Sequence, residues 1–285
     1  FAAPTKVGSN IRAAGEEALA GDVVVEAGDV LTAAGVGFLA GCGVLEVPVY
    51  RGPRVAVIAT GSELVPPSEV PGPGKIRNSN SYAMAACARE AGAEAVMLPI
   101  VQDTFEALRD AVAAAAREYD LVVTTGGAAN GDFDFIKPVV AELGELMMTT
   151  VNIRPGKAQT FGMVEGTPVF GLPGNPAAAY VGFQLLIRPA LRTMQGYRFM
   201  DHPVVKARLT ADEKNRDPRR IYLRANLTRT AEGYEVTPAK NQSSGLFGPI
   251  QKTNCLAVMP EGTAPQPAGS IVDCLLLDIP EEVVL

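Results

Sequence analysis

The chain has no tryptophan, one histidine and four cysteines in 285 residues, and each scarcity removes a class of function. His202 has no His or Cys near it in the sequence, so histidine-based catalysis and a histidine-ligated metal lack support. A surface or linker position is expected for it. Cys42, Cys87, Cys255 and Cys274 are far apart, each in apolar sequence. That pattern predicts buried free thiols in a reducing, cytoplasmic compartment rather than disulfides or a zinc site. Apolar stretches stop at Gly, Pro or charge well short of the roughly 18 residues of a membrane span. No basic-then-apolar leader opens the chain at Phe1. The net charge of −6 lacks the basic surplus of a nucleic-acid surface. An anionic small molecule stays compatible if a few cations converge. GxGxxG and GxxxxGK[ST] are also missing, so neither a dinucleotide loop nor a P-loop is supported.

What is present is a 47% hydrophobic chain with 29 glycines and 22 prolines, long enough for about two domains. Residues 1–51 read as a small β-rich segment: DVVVEAGDVL and LEVPVY as strands around one short helix capped by Thr32. So short a piece cannot bury a core alone. It is expected to pack on a neighbour, or on a segment that would precede Phe1. Residues 52–199 alternate strand and helix signals. RVAVIAT, EAVMLPI, DLVVTTG and PVFGLPG are strands; NSYAMAACAREAG, TFEALRDAVAAAAREY and a long run after Pro176 are helices. This alternation predicts an α/β fold, a central mostly parallel sheet with helices on both faces. Residues 200–285 lose the helical period and read as a C-terminal β-barrel or sandwich domain.

Ligands of a parallel α/β sheet bind beyond the carboxyl ends of its strands, and four unusual loops fall there. ATGSELV carries Glu63, VQDT carries Asp103, TTGGAANGDFDF carries Asp132 and Asp134, and GLPGNP spans residues 171–176. Each alone has a plain reading: Asp103 as a first-turn helix acid, GLPGNP as a rigid corner. Together, glycine amides and several acids suggest a phosphate or oxyanion bridged by Mg²⁺. The turn IRPGKAQTFG adds Arg154 and Lys157, either an anion clamp or a solvated turn. Arg219, Arg220, Arg224, Gln242, Ser243 and Ser244 are either further oxyanion donors or ordinary surface residues.

In sequence order, NIRAAGEE, ATGSEL, IRNSNSY, TTGGAANGDFDF, RPGKAQTFG and GLPGNPAAAY resemble the MoeA/gephyrin family, the molybdopterin molybdenumtransferases. The resemblance implies an elongated, cytoplasmic homodimer that inserts molybdate into adenylylated molybdopterin with Mg²⁺, releasing AMP. It also implies contact with a molybdopterin adenylyltransferase. Carried over by residue, Glu63, Asp103 and Asp134 would hold the metal and pyrophosphate, and Lys157 and Arg154 the phosphate or molybdate. Asn80, Gly126, Gly127, Gly174 and Asn175 would bind substrate, and Pro173 and Pro176 would shape the pocket. Arg220, Ser243 and Ser244 would lie near the oxyanion, while Arg12 and Glu17 would reach the site, from the other subunit. The pterin dithiolene would supply the sulfur ligands, so no protein nucleophile is required.

Several positions depart from the family pattern. GGAANG stands where GGVSVG is usual, with Ala129 in place of a hydroxyl, Asn78 stands where the family has Asp, and Glu17 where Asp is common. The family's proline-rich segment and the Asp-Gly-Tyr-Ala sequence after it are absent, which implies that an N-terminal part with substrate contacts is missing. A TGG loop with LPG alone would also fit the related adenylyltransferases, and the changed loop would also fit a molybdopterin-binding scaffold without turnover. NIRAAGEE, the RPGK turn and the β-domain favour the transferase.

Overall fold

The computed structural model describes residues 4–126 and 135–277. The elements run α1 (Ala33–Gly41), β1 (Arg54–Ala59), β2 (Leu64–Val65), β3 (Ile76–Arg77), α2 (Asn80–Glu90), β4 (Glu94–Met97), α3 (Phe105–Glu118) and β5 (Leu121–Thr125). Next come α4 (Ile136–Leu143), β6 (Gly144–Met148), β7 (Ile153–Arg154), β8 (Thr160–Val164), β9 (Thr167–Leu172), α5 (Pro176–Gly182), a π-helical turn (Phe183–Ile187) and α6 (Arg188–Met194). The last stretch holds β10 (Val204–Leu209), β11 (Arg220–Thr230), β12 (Gly233–Pro238), α7 (Gly248–Gln251), β13 (Cys255–Met259) and β14 (Ile271–Leu276).

The first sheet has the order β4-β1-β5-β9-β8-β6. β4, β1, β5 and β9 are mutually parallel, and β8 and β6 extend the sheet by antiparallel pairs. The apolar runs of β1 and β5 have the composition they do because both faces are covered. Val55, Val57, Leu121 and Val123 face Met84 of α2 and Phe183, Ile187 and Leu191 beyond α5. Their neighbours Ala56, Ile58 and Val122 face Leu108 and Val112 of α3 and Ile136 and Val139 of α4. Thr104 caps α3 by accepting from the Ala107 N–H at 3.3 Å. With three strands parallel, the loops after β1, β5 and β9 open at one edge of the sheet. No helix among the described residues is long and apolar enough to cross a membrane.

The C-terminal strands close into a barrel. β10 pairs with β14, β14 with β13, β13 with β11 and β11 with β12, all antiparallel, and β12 closes the ring against β10 in parallel. Leu209, Leu223, Leu227, Val236 and Cys274 fill its interior, following the alternation expected of a small barrel. β7 joins this sheet too: Ile153 and Arg154 pair in parallel with Arg220 and Ile221 of β11.

Three sequence-based expectations need correction. Residues 4–51 contain one helix, α1, capped by Thr32 as expected, but no strand, so the segment is not β-rich. DVVVEAGDVL and LEVPVY meet no partner ladder among the described residues, and a lone strand leaves its N–H and C=O groups unpaired. The helix after Pro176 runs unbroken to Met194, as expected, but widens into a π turn at its middle. Pro189 lacks the N–H that would reach back to Leu185, and the chain relaxes there into the π turn. Cys42 is exposed, whereas Cys87, Cys255 and Cys274 are buried and free. His202 is no surface residue: it is buried between the two sheets' domains, its Nε2 2.9 Å from Gln184 Oε1.

Burial, and after it the Arg188 guanidinium, push the His202 imidazole down from 6.5 to about 4. The unfolded chain therefore takes up a proton first as pH falls from 6.5 towards 4, and stability is lost across that window. The full difference is on the order of 3 kcal/mol. His202→Gln is expected to flatten this part of the curve, measured as urea unfolding free energies between about pH 7 and about pH 4.5. An unchanged pH slope would contradict the assignment.

Candidate active site

The loop after β1 turns at Gly61, whose φ is 158°, and brings Glu63 beside the end of the sheet. Thr60 donates to Asp103 Oδ1 at 3.4 Å, which draws the start of α3 to the same place. The Asp103 carboxyl is pushed up by burial; the Thr60 bond opposes this, and the Glu63 charge adds to it. Two acids thus share one corner.

The loops after β5 and β9 meet here as well. Gly126 has φ +89°, and a Cβ on it would overlap the Thr60 carbonyl, so only glycine fits. A Cβ on Gly174 would stand 3.6 Å from Gly126 Cα, and the Asn80 amide donates to the Gly174 carbonyl at 2.9 Å. Asn80 Oδ1 is buried with no partner among the described residues. Together Thr60, Glu63, Asn80, Gly126, Asn175 and Pro176 border a cavity of about 330 Å³.

Gly174 and Asn175 also line a second cavity of about 640 Å³ on the other side of the same loop. Its walls are Arg154, Lys157, Pro173 and Arg219, with Arg224, Ser243 and Ser244 from the barrel. The RPGK turn is shaped by a cis Arg154–Pro155 bond and by Gly156 at φ +95°. The barrel loop is docked by the Ala177 N–H donating to the Ser244 carbonyl at 2.8 Å. One acid, Asp217, serves two cations. It pairs with Arg219 and, at 3.1 Å, with Arg154, and these partners, Arg219 foremost, hold it well below the usual carboxylate range.

Arg224 differs from these. It is 2% exposed, donates to the Ser243 carbonyl at 3.3 Å, and its Nε has no partner among the described residues. No carboxylate pairs with it or with Lys157 among the described residues. Burial, then the Arg154 charge, push the Arg224 guanidinium down to about 10. A buried cation without a counter-ion is costly, and an anion in the cavity would relieve that cost.

The structure therefore gathers Glu63, Asn80, Gly126, Gly174, Asn175 and Pro176 on one side of the loop, with Asp103 joined through Thr60. Arg154, Lys157, Pro173, Ser243 and Ser244 gather on the other. It does not bring in Arg220, which pairs across β7 and lines a separate cavity with Asn152, Glu261 and Asp273. Arg12 and Glu17 are also elsewhere: they pair with each other at 3.0 Å, both exposed. Gly127, Asp132 and Asp134 lie outside the described residues. Among the described residues no group of three His, Cys, Asp or Glu could hold a metal. Gln242 is committed to the barrel: its Oε1 accepts from the Arg224 N–H at 3.1 Å and its amide donates to the Arg224 and Ala239 carbonyls.

Sequence reasoning passed over Thr60 and gave Arg224 no more weight than its neighbours. The available signal was an arginine enclosed in the apolar strand RIYLRA, because arginine is almost never fully buried without a partner.

Residues 56–193 match the family described as "Probable molybdopterin binding domain", and residues 206–277 match "MoeA C-terminal region (domain IV)". The chain is 37% identical over 285 residues, 99% of its length, to a molybdopterin molybdenumtransferase from Staphylococcus aureus (strain MSSA476). It is also 37% identical over 280 residues, 97% of its length, to one from Staphylococcus epidermidis. The crystal structure of the molybdopterin biosynthesis MoeA protein from Pyrococcus horikosii superposes with a TM-score of 0.78 at 31% identity, over 90% of this chain. The chain is shorter than each, spanning 68%, 67% and 62% of their respective lengths.

Arg224→Met is expected to raise stability, by on the order of 1 kcal/mol, because it replaces an uncompensated buried charge with apolar volume. The same variant is expected to lose anion protection, measured as the rise in Tm with added phosphate or molybdate. A destabilised variant that keeps this protection would contradict the reading of Arg224.

Proposed function

The chain belongs to the molybdopterin molybdenumtransferase family, transferases of molybdenum cofactor biosynthesis, and from that premise we propose that its two-sided crevice inserts molybdate into adenylylated molybdopterin and releases AMP. The observation that carries the proposal is the GLPGNP loop, whose Gly174 and Asn175 border a polar cavity holding Glu63 on one side and a cavity walled by Arg154, Lys157, Arg219 and Arg224 on the other. A substrate with a pyrophosphate at one end and a metal-accepting dithiolene at the other suits such a division.

Lys157 and Arg224 have no acidic partner among the described residues, and they are the cations for the incoming oxyanion. Arg154, already shared with Asp217, orients more than it neutralises. Ser243 and Ser244 add hydrogen-bonding groups at the same wall. Glu63 and Asp103 would hold Mg²⁺, together with Asp134 from outside the described residues. The fit rests on Asp103, held at the sheet edge by Thr60 with its carboxyl raised by burial and by the Glu63 charge; a divalent cation held there would offset both effects. Bound there, the metal would neutralise charge on the pyrophosphate as it hydrolyses. The glycine amides near Gly126 and Gly174 position the nucleotide phosphate, and Asn80 Oδ1 offers an acceptor to a substrate N–H or O–H. No side chain attacks the substrate in this scheme.

The same reading makes the chain part of a cytoplasmic homodimer. Val7, Ile11, Leu19, Val23 and Leu45 are exposed on residues 4–51, an apolar surface that a second copy would cover. Contact with the molybdopterin adenylyltransferase that supplies the substrate is also part of it.

The test is AMP release from adenylylated molybdopterin with Mg²⁺, with and without molybdate. Release that depends on molybdate is expected. Lys157→Ala is expected to lower kcat/KM by about 10²-fold, the usual loss on removing one oxyanion-stabilising group. Asp103→Asn is expected to demand more Mg²⁺ for the same rate. AMP release independent of molybdate would favour adenylyltransferase-type chemistry, and tight binding without release would favour a scaffold.

A further inference from the structure

The RPGK turn carries two of the site's cations but is not itself part of a long element; β7 before it has only two residues. Something must hold Lys157 in place. The side chain of Gln159, two residues beyond, is fully buried. Its amide donates back to the Gly156 carbonyl at 3.0 Å. It lies in a slot bounded by two glycines. A Cβ on Gly156 would come within 2.7 Å of the Gln159 amide nitrogen, and one on Gly182 within 2.6 Å of the same atom. Gly182 has φ −59°, a helical value that alanine adopts freely, so its missing side chain answers to space and not to backbone conformation. The turn also rests on the helix, because the Gly156 Cβ position is 3.2 Å from the Ala178 carbonyl.

Gln159 Oε1 is buried without a hydrogen-bond partner among the described residues. Such an atom is tolerated where the surroundings fix the side chain for another reason. The opposite amide orientation offers no escape, since it would set Oε1 against the Gly156 carbonyl.

We infer that Gln159 is a positioning residue: wedged between Gly156 and Gly182, it brackets the Lys157 turn onto α5, the helix that begins at the GLPGNP loop. Lys157 and the loop shared by the two cavities are thereby held at one spacing. Helix α5 starts at Pro176 and ends at Gly182, so one rigid element links both loops. The role assigned to Lys157 in turnover rests on the proposed function; the bracket itself is a statement about geometry.

The experiment uses the full chain with Gln159→Met, Gln159→Ala, Gly182→Ala and the Gln159→Ala/Gly182→Ala double variant. Lysines are ¹³C-dimethylated and the Lys157 resonance is identified by its loss in Lys157→Arg. Gln159→Met keeps the length and apolar packing without the hydrogen bond, so it is expected to stay folded while its Lys157 line moves towards that of a free lysine. Gly182→Ala is expected to move the line comparably, because its Cβ displaces the amide. The double variant should go no further than Gln159→Ala, since the two residues form one device and their effects are not additive. In the AMP-release reaction Gln159→Met should lower kcat by about 10-fold to 10²-fold, as small misplacements of a reacting group do, with KM for adenylylated molybdopterin little changed. An unmoved Lys157 line in Gln159→Met, or shifts that simply add in the double variant, would overturn the bracket. A parent chain that shows no molybdate-dependent release would remove the proposed function instead, while the Lys157 line still decides the bracket.

Discussion

The site depends on a short ladder: Ile153 and Arg154 of β7 paired with Arg220 and Ile221 of β11. It sets the RPGK turn, which belongs in sequence to the α/β half, against the strand that carries Arg224. Without it the cations would sit on two bodies with no common frame. Backbone hydrogen bonds contribute only about 1 kcal/mol each in net terms, so so short a ladder is weak alone. The apolar cluster beneath it carries more. Ile153 and Val181 from the α/β half pack with Tyr222, Leu256 and Val258 from the barrel, and fully burying a side chain of that size is worth roughly 1.5–3 kcal/mol. The hydrophobic contact therefore sets the spacing of the two halves, and the ladder sets their register.

Electrostatics inside that frame is arranged by subtraction. The chain as a whole is acidic, and most of its surface arginines pair with acids. Within the larger cavity Asp217 takes up Arg219 and part of Arg154. Lys157 and Arg224 are left over among the described residues. Lys157 is a compact point charge on a turn, and Arg224 a planar cation fixed inside the barrel wall. Arg224 costs stability where it lies, and that cost becomes affinity when an anion enters, a trade common at functional sites. On the other side of the loop Glu63 and Arg77 line the smaller cavity, and Asp103 lies near enough to feel the Glu63 charge. In the proposed function a divalent cation would complete that half as an anion would complete the other.

Much of the fold was legible in the sequence because it follows from local rules. Period and continuity of apolar runs placed β1, β5, β9, α2 and α3, and Thr32 and Pro176 marked helix starts. The parallel sheet then located Glu63, Gly126 and the GLPGNP loop together, since parallel strands end on the same edge. The N-terminal strands failed by the same logic. A strand is half of a pair, and the sequence of one half does not reveal whether its partner is there.

The sequence by itself determined the order of elements, the glycines at the strand ends and the supply of charged residues on the loops. Only the tertiary structure decided which of those charges are spent and which are free. Arg219, Arg220 and Arg224 look alike in the chain, yet one is paired with Asp217, one lines another cavity and one is buried facing the site. His202, expected at the surface, is buried beside Gln184, and Gln159, an unremarked residue of the turn, is locked between two glycines. The reason is physical: helix and strand formation depend on neighbours along the chain, whereas desolvation and ion pairing depend on neighbours in space.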